Sequence, residues 1–107
     1  MKRGEVRWYK FASPDKKRPV LVLHRSDVIE YLSEVTVAPL TTRVRNLPSE
    51  VFLSASEAKT PQDCVVNLDH IATVSKSKMG SLITTLDEAR MHQVNRAIGF
   101  ALSLSLN

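Results

Sequence analysis

The residues of this chain best suited to chemistry gather in two short stretches. One is Lys16-Lys17-Arg18-Pro19, which runs straight into the apolar segment Val20-Leu21-Val22-Leu23. The other is Thr41-Thr42-Arg43, which follows Val35-Thr36-Val37-Ala38-Pro39-Leu40. A guanidinium is a permanent cation whose planar fork of donors fits a phosphate. A threonine hydroxyl beside it adds a neutral donor. Lys16 and Lys17 raise the local positive potential, and Arg43 and Arg45 carry it past the threonines. An arginine facing a threonine is also common on inert hairpins, so residue type alone does not make a site.

The elements that must hold these residues can be read from the flanking pattern. Val20 to Leu23 is apolar at every position, which fits a strand covered on both faces. Pro19 fixes its own φ and pushes Arg18 towards an extended backbone. A hairpin through Arg25 to Glu34 joins this strand to Val35–Leu40. Pairing His24 with Val35 then sets Leu23 opposite Thr36, Val22 opposite Val37 and Arg18 opposite Thr41. Directly opposed residues have β-carbons about 4.5–5.5 Å apart. A slip of one residue brings Thr42 beside Arg18 instead.

Turn signals at Ser13-Pro14-Asp15, Arg45-Asn46-Leu47-Pro48 and Lys59-Thr60-Pro61-Gln62-Asp63 divide the rest of the chain. Strands are expected at Glu5–Phe11, Pro19–His24, Val35–Leu40, Glu50–Leu53, Cys64–Leu68 and Ile71–Val74. Short strands with brief connections predict a mainly β fold, a small antiparallel barrel or sandwich. Thr85-Leu86-Asp87-Glu88 reads as a capping box with Thr85 as N-cap. Apolar residues from Leu86 through Val94, Ala97 and Ile98 to Leu106 then mark one face of a C-terminal helix.

A chain of 107 residues suits a single domain spanning 1–107. Its one cysteine, Cys64, cannot form an internal disulfide, and the N-terminus lacks a signal-peptide pattern. No stretch approaches the ~20 apolar residues of a membrane span. The expected setting is a reducing one, the cytoplasm, with no membrane contact. Net charge is +4. Residues 1–50 hold ten Lys and Arg against six Asp and Glu, while residues 51–107 hold five of each. The basic half favours an anionic partner such as nucleic acid. Three histidines and one cysteine, scattered along the chain, give no metal-ligand spacing, and no cofactor or metal is expected.

Four segments together resemble the MazF/PemK/Kid toxins of bacterial toxin–antitoxin systems. They are Arg3-Gly4-Glu5-Val6 with Trp8, Arg18-Pro19-Val20-Leu21-Val22-Leu23, the block Val37-Ala38-Pro39-Leu40-Thr41-Thr42 with Leu47-Pro48, Glu50-Val51 and Leu53-Ser54, and Val65-Val66-Asn67-Leu68-Asp69-His70-Ile71. The resemblance implies an SH3-like or CcdB-like barrel with a C-terminal helix, acting as a homodimer. It implies metal-independent cleavage of single-stranded RNA, and inhibition by a cognate antitoxin that lays an acidic flexible segment over the RNA surface. The family's catalytic arginine falls on Arg18 and its catalytic threonine on Thr41. Three positions depart from the pattern. The loop Ala12 to Lys17 is short, His70 stands where a glutamine is usual, and Ala72 stands where a basic residue is frequent.

Metal-free RNA cleavage uses the neighbouring 2′-OH as nucleophile, so DNA is a binder at best. Arg18 suits stabilisation of charge on phosphorus, and Thr41 suits holding a phosphate oxygen. A guanidinium is a poor base near neutrality, and the sequence identifies no other base. His24 lies six residues from Arg18, about 20 Å along a strand, too far to share one phosphate. Lys16, Lys17, Thr42, Arg43, Arg45 and His70 are the expected RNA-binding residues. Two rival readings remain at this stage: a CcdB-like toxin that inhibits a topoisomerase by binding, and a catalytically silent RNA-binding barrel.

Overall fold

The computed structural model describes residues 1–10 and 16–104. Seven strands, β1 (Glu5–Lys10), β2 (Lys17–Val22), β3 (Glu34–Thr41), β4 (Glu50–Leu53), β5 (Cys64–Asn67), β6 (Ala72–Ser75) and β7 (Met79–Thr85), form one antiparallel sheet. The short helix α1 (Ala55–Ala58) follows β4, and α2 (Glu88–Ala101) ends the fold. The strand order is β4-β5-β3-β2-β1-β7, with β6 on β3.

The hairpin register is the expected one. Val22 pairs with Val37, Leu21 with Ala38 and Val20 with Pro39, and the Leu23 amide donates to the Thr36 carbonyl at 2.9 Å. The connection is partly ordered, with a 3-10 helix at Ser26–Tyr31. Alternation along β2 sends Leu21 and Leu23 to the larger core and Val20 and Val22 to a smaller one. The larger core unites β1–β5, α1 and α2, whereas Tyr9, Ile29, Val35 and Val37 complete the smaller. Both faces of β2 are therefore covered, as its unbroken apolar run requires.

β3 changes partner along its length. Glu34 to Val37 pair with β6, whereas Leu40 and Thr41 pair with β5. Between β5 and β6 the chain makes a 3-10 turn at Leu68–His70. The Leu23–Thr36 bond means that even-numbered residues of β3 face β2, so Pro39 faces the β5–β6 side. Pro39 has no N–H to offer there, and the ladder is interrupted at that point.

Three expectations need correction. The sheet is not a closed barrel, because β4 and β7 are the ends of an open path. Val94 and Ala97 of α2 share the larger core with Val6 of β1 and with Val51 and Leu53 of β4, so the helix covers that core beside β4. Second, β7 was not expected. Its second half, Ile83-Thr84-Thr85, is a β-branched run, and in its first half Gly80 lets the strand approach Trp8, where a β-carbon would sit 3.3 Å from the Trp8 β-carbon and carbonyl oxygen. Third, Thr85 is not the helix cap. It pairs with Glu5 in the sheet, and Asp87 caps α2 by accepting from the Arg90 amide at 2.8 Å. Strand bounds move slightly: β2 ends at Val22 and β6 starts at Ala72, with Ile71 just past the turn. Phe11, the Ser13-Pro14-Asp15 turn and Leu106 fall outside the described residues.

A candidate RNA-cleavage site

Arg18 and Thr41 stand at the open ends of β2 and β3, where the observed register carries one to the other. Bonded and unbonded pairs alternate along an antiparallel ladder, and Leu23–Thr36 is a bonded position. Arg18–Thr41 is therefore an unbonded one, the class in which side chains lie closer. Arg18 continues the Val20–Val22 face, so it emerges at the rim of the smaller core.

Two clefts meet along this rim. One, about 210 Å³, is lined by Trp8, Lys17, Pro19, Thr42 and the Thr60-Pro61-Gln62 turn, with Cys64 behind. The other, about 260 Å³, is lined by Pro39, Arg43, Arg45, Asn67 and His70. Arg18, Leu40 and Thr41 belong to both. The two residues with the strongest chemical case thus form a ridge, and the expected binding residues divide between its flanks. Lys17 and Thr42 take one side, and Arg43, Arg45 and His70 the other. Lys16 is exposed at the foot of β2 and lines neither cleft.

The hydrogen bonds around the ridge leave donors free. Arg18 makes no ion pair or side-chain hydrogen bond to another described residue. The Thr41 hydroxyl accepts from the Arg43 amide at 3.2 Å, which occupies a lone pair and leaves its O–H to donate outward. The loop after Thr41 is held from one point. The Glu50 carboxylate accepts from the Arg45 amide at 3.0 Å and the Leu47 amide at 3.4 Å, and Asn46 between them takes a left-handed conformation, φ 57°. Arginines that line a cleft thereby rest on an ordered backbone.

Other candidates have structural work. The His24 imidazole accepts from the Thr36 amide at 3.2 Å, at the far end of the hairpin. Lys76 donates to the Ile29 carbonyl at 2.7 Å. His92 is exposed on α2 beside Glu88. Burial pushes the Cys64 thiol up, against a hydrogen bond from Thr60, so it is a packed, protonated side chain behind the cleft. Among the described residues no group of three His, Cys, Asp or Glu is placed to hold a metal ion, and no helix is long and apolar enough to cross a membrane.

Two contributors were not singled out from sequence. Asn67 lies at the end of β5, 8% exposed, on the wall shared with His70. The Thr60–Gln62 turn reaches the site only because β4, α1 and β5 fold it there. A buried asparagine in a Val-Val-Asn-Leu strand was the available signal, since such a side chain needs hydrogen-bond partners.

Known proteins share this arrangement of chain. Residues 2–102 match the family of PemK-like, MazF-like toxins of type II toxin–antitoxin systems. The probable endoribonuclease MazF2 of Mycobacterium tuberculosis is 44% identical over 93 residues, covering 87% of this chain and 89% of that protein. The probable endoribonuclease MazF5 of the same species is 37% identical over 103 residues, covering 96% and 94%. Among solved structures, the M. tuberculosis toxin MazF-mt6 superposes with a TM-score of 0.86 at 36% identity, covering 94% of this chain and 98% of that one. A mycobacterial endoribonuclease in complex with its cognate antitoxin gives 0.86 at 26% identity, covering 100% and 99%. The topoisomerase-inhibitor alternative is not favoured by any of these. An open antiparallel sheet with a C-terminal helix, a register that faces Arg18 with Thr41, and a match over nearly the whole length lead to one assignment: this chain belongs to the PemK-like, MazF-like toxins of type II toxin–antitoxin systems.

Proposed function

We propose that this chain is a sequence-selective endoribonuclease that cuts single-stranded RNA without a metal, with Arg18 and Thr41 as its catalytic residues. The observation that carries the proposal is an arginine with no described partner beside a threonine whose O–H is free, on a ridge between two clefts. The scissile phosphate sits on the ridge, and the chain on either side of it runs into a cleft. The 2′-oxygen forms a bond to phosphorus, the bond from phosphorus to the 5′-oxygen breaks, and the products are a cyclic 2′,3′-phosphate and a 5′-hydroxyl. The 2′-OH proton passes to water, and the 5′-oxygen takes a proton from water as it leaves. Arg18 offsets the charge that builds on the non-bridging oxygens, an effect that grows in the transition state. Thr41 donates to one of those oxygens and fixes its direction. Arg43 and Arg45 track the backbone on one flank and Lys17 on the other, with Lys16 adding to the field and Thr42 and His70 supplying polar contacts.

The assembly follows from the same reading. Residues 1–107 act as one toxin domain in the cytoplasm. A cognate antitoxin inhibits it by laying an acidic flexible segment across the cationic clefts. The toxin works as a homodimer, for which the exposed Phe100, Leu102 and Leu104 at the end of α2 are apolar surface in need of cover.

The test uses two matched RNA oligonucleotides in EDTA, one of them carrying a single 2′-deoxy substitution at the cut site. Mass spectrometry should find a cyclic phosphate end from the normal strand and no product from the substituted one. Cutting of both would reject 2′-OH attack. Salt-sensitive binding without cutting would leave a silent RNA-binding protein.

A further inference from the structure

His70 stands on the wall between the Arg43–Arg45 cleft and a second hollow of about 240 Å³ lined by Tyr9, Val20, Val37, Pro39, Ala72 and Val74. Its neighbours favour one orientation of the ring's hydrogen bonds. The Asp69 amide donates to the Asn67 side-chain oxygen Oδ1 at 3.0 Å. That contact fixes which end of the amide is oxygen, because the reversed amide would set N–H against N–H. The amide nitrogen Nδ2 therefore points at His70, whose Nδ1 lies 3.4 Å away. An amide nitrogen only donates, so His70 Nδ1 must accept and carries no proton. The remaining proton of the neutral ring is on Nε2, on the edge turned away from Asn67. Asn67 is itself held in place. It is buried at the end of β5, and Asp69, which follows it by two residues, is tied by the Ser49 hydroxyl at 2.5 Å.

We propose that Asn67 is a positioning residue that locks His70 as its neutral Nε2–H tautomer. His70 then gives bound RNA a fixed hydrogen-bond donor and does not serve as the missing general base. This rests on the endoribonuclease reading and deepens it. Attack by the 2′-OH needs a group that takes a proton, and an imidazole used as base would present an unprotonated nitrogen to the cleft. The only unprotonated nitrogen of His70 faces Asn67 instead. The N–H it offers lies on the edge turned away from Asn67, between the two hollows that His70 lines. Its partner is an acceptor on RNA, either a base edge or a phosphate oxygen.

The first measurement needs no RNA. Long-range ¹H–¹⁵N correlation spectra of the imidazoles, at neutral pH, report which ring nitrogen carries the proton. His70 is assigned by the signals lost in His70→Gln. His24, whose Nδ1 accepts from the Thr36 amide, is an internal reference for the same tautomer. The expected result is Nε2–H for His70 in the wild-type chain, with Asn67→Asp moving the proton to Nδ1 or adding a second one. An Nδ1–H ring, an imidazolium or an averaged pair of tautomers in the wild type would overturn the proposal, whether or not the protein cuts RNA.

The second measurement is cleavage by two amide variants. Gln places its amide near the position of Nε2, and Asn near that of Nδ1. Relative to each other, His70→Gln should cut faster than His70→Asn by roughly three- to tenfold, the worth of one neutral hydrogen bond. Loss confined to certain sequences would place the acceptor on a base edge, and uniform loss would place it on a phosphate. A His70→Asn enzyme that outperforms His70→Gln would reject the donor role.

Discussion

Arg90 and Arg18 show two ways of placing the same side chain. Arg90, on the first turn of α2, is committed to partners within the fold. Its guanidinium grips the Glu57 carboxylate through two donors, 2.5 and 2.9 Å long, and reaches Gln93 with a third at 2.9 Å. The hydrogen bond to Glu57 is the main reason that Arg90 holds its proton still more tightly than usual. This pair ties α2 to α1 on the flank where the larger core is capped. Arg18 is exposed at the outer end of a strand whose inner half is buried, with Val20 only 1% exposed two residues on, and no described carboxylate meets it. A cation that is positioned by a core and left uncompensated is complementary to an anion that arrives from outside. The contrast between the two residues, more than the net charge, is the physical case for a phosphate site.

The largest expected effect breaks the comparison on one side only. Arg18→Lys should lose about 10²-fold or more in cleavage rate, because an ammonium lacks the planar fork, while thermal stability changes little. Arg90→Ala should do the reverse. It leaves cleavage per folded molecule unchanged and lowers stability by about 1 kcal/mol, as an ion pair with side chains 32% and 28% exposed allows, which denaturant titration would read. Next in size is Thr41. Thr41→Val should lose roughly tenfold in rate, and Thr41→Ser should recover most of it, since serine retains both the bond from the Arg43 amide and the outward O–H.

Removing charge from the flank sharpens the picture further. Arg43→Ala and Arg45→Ala should each weaken binding to single-stranded RNA of any sequence. Each should also lower the slope of log affinity against log salt by about 0.7, the value for one lost phosphate contact. The smallest effect lies far from the ridge, at Glu5. Burial works to raise its pKa, but hydrogen bonds from Arg7 and from the Lys2 backbone, with the Arg7 charge, hold the carboxyl below its usual value. A depressed carboxyl stabilises the fold above its unfolded pKa of about 4.3 and loses that contribution as pH falls through the folded value. Glu5→Gln should therefore flatten the acid limb of a stability–pH profile by less than about 1 kcal/mol and leave cleavage unaffected.

The parts of the molecule that follow local rules were readable from sequence. Val20–Leu23 is apolar on both faces because two cores flank it, and that pattern marked the strand; the register with Val35–Leu40 was a supposition, which the Val20–Pro39, Leu21–Ala38 and Val22–Val37 pairs match. Closure of the sheet was not readable, because it depends on whether α2 or another strand fills the space beside β4, and both satisfy the same apolar residues. β7 was passed over although Ile83-Thr84-Thr85 is a β-branched run, because Gly80 and Ser81 weaken the first half of the strand and Thr85 also fits a helix cap. The capping box at Thr85 obeyed the local rule and lost to the sheet, which takes Thr85 as a partner of Glu5 and hands the cap to Asp87. At the site, residue types pointed to the cations and the hydroxyl. The division of those residues between two clefts, and the role of Asn67 in holding His70, depend on the 3-10 turn at Leu68–His70, which periodicity does not announce.

The central claim is that an uncompensated Arg18 makes this fold an RNA-cleaving one. Its most direct test is incubation of a long single-stranded RNA with antitoxin-free wild-type protein in EDTA, beside Arg18→Ala shown to be folded by circular dichroism. Discrete fragments from the wild type and intact RNA with the variant are the predicted result. Fragments of equal yield from both proteins, or intact RNA with a folded wild type, would contradict it.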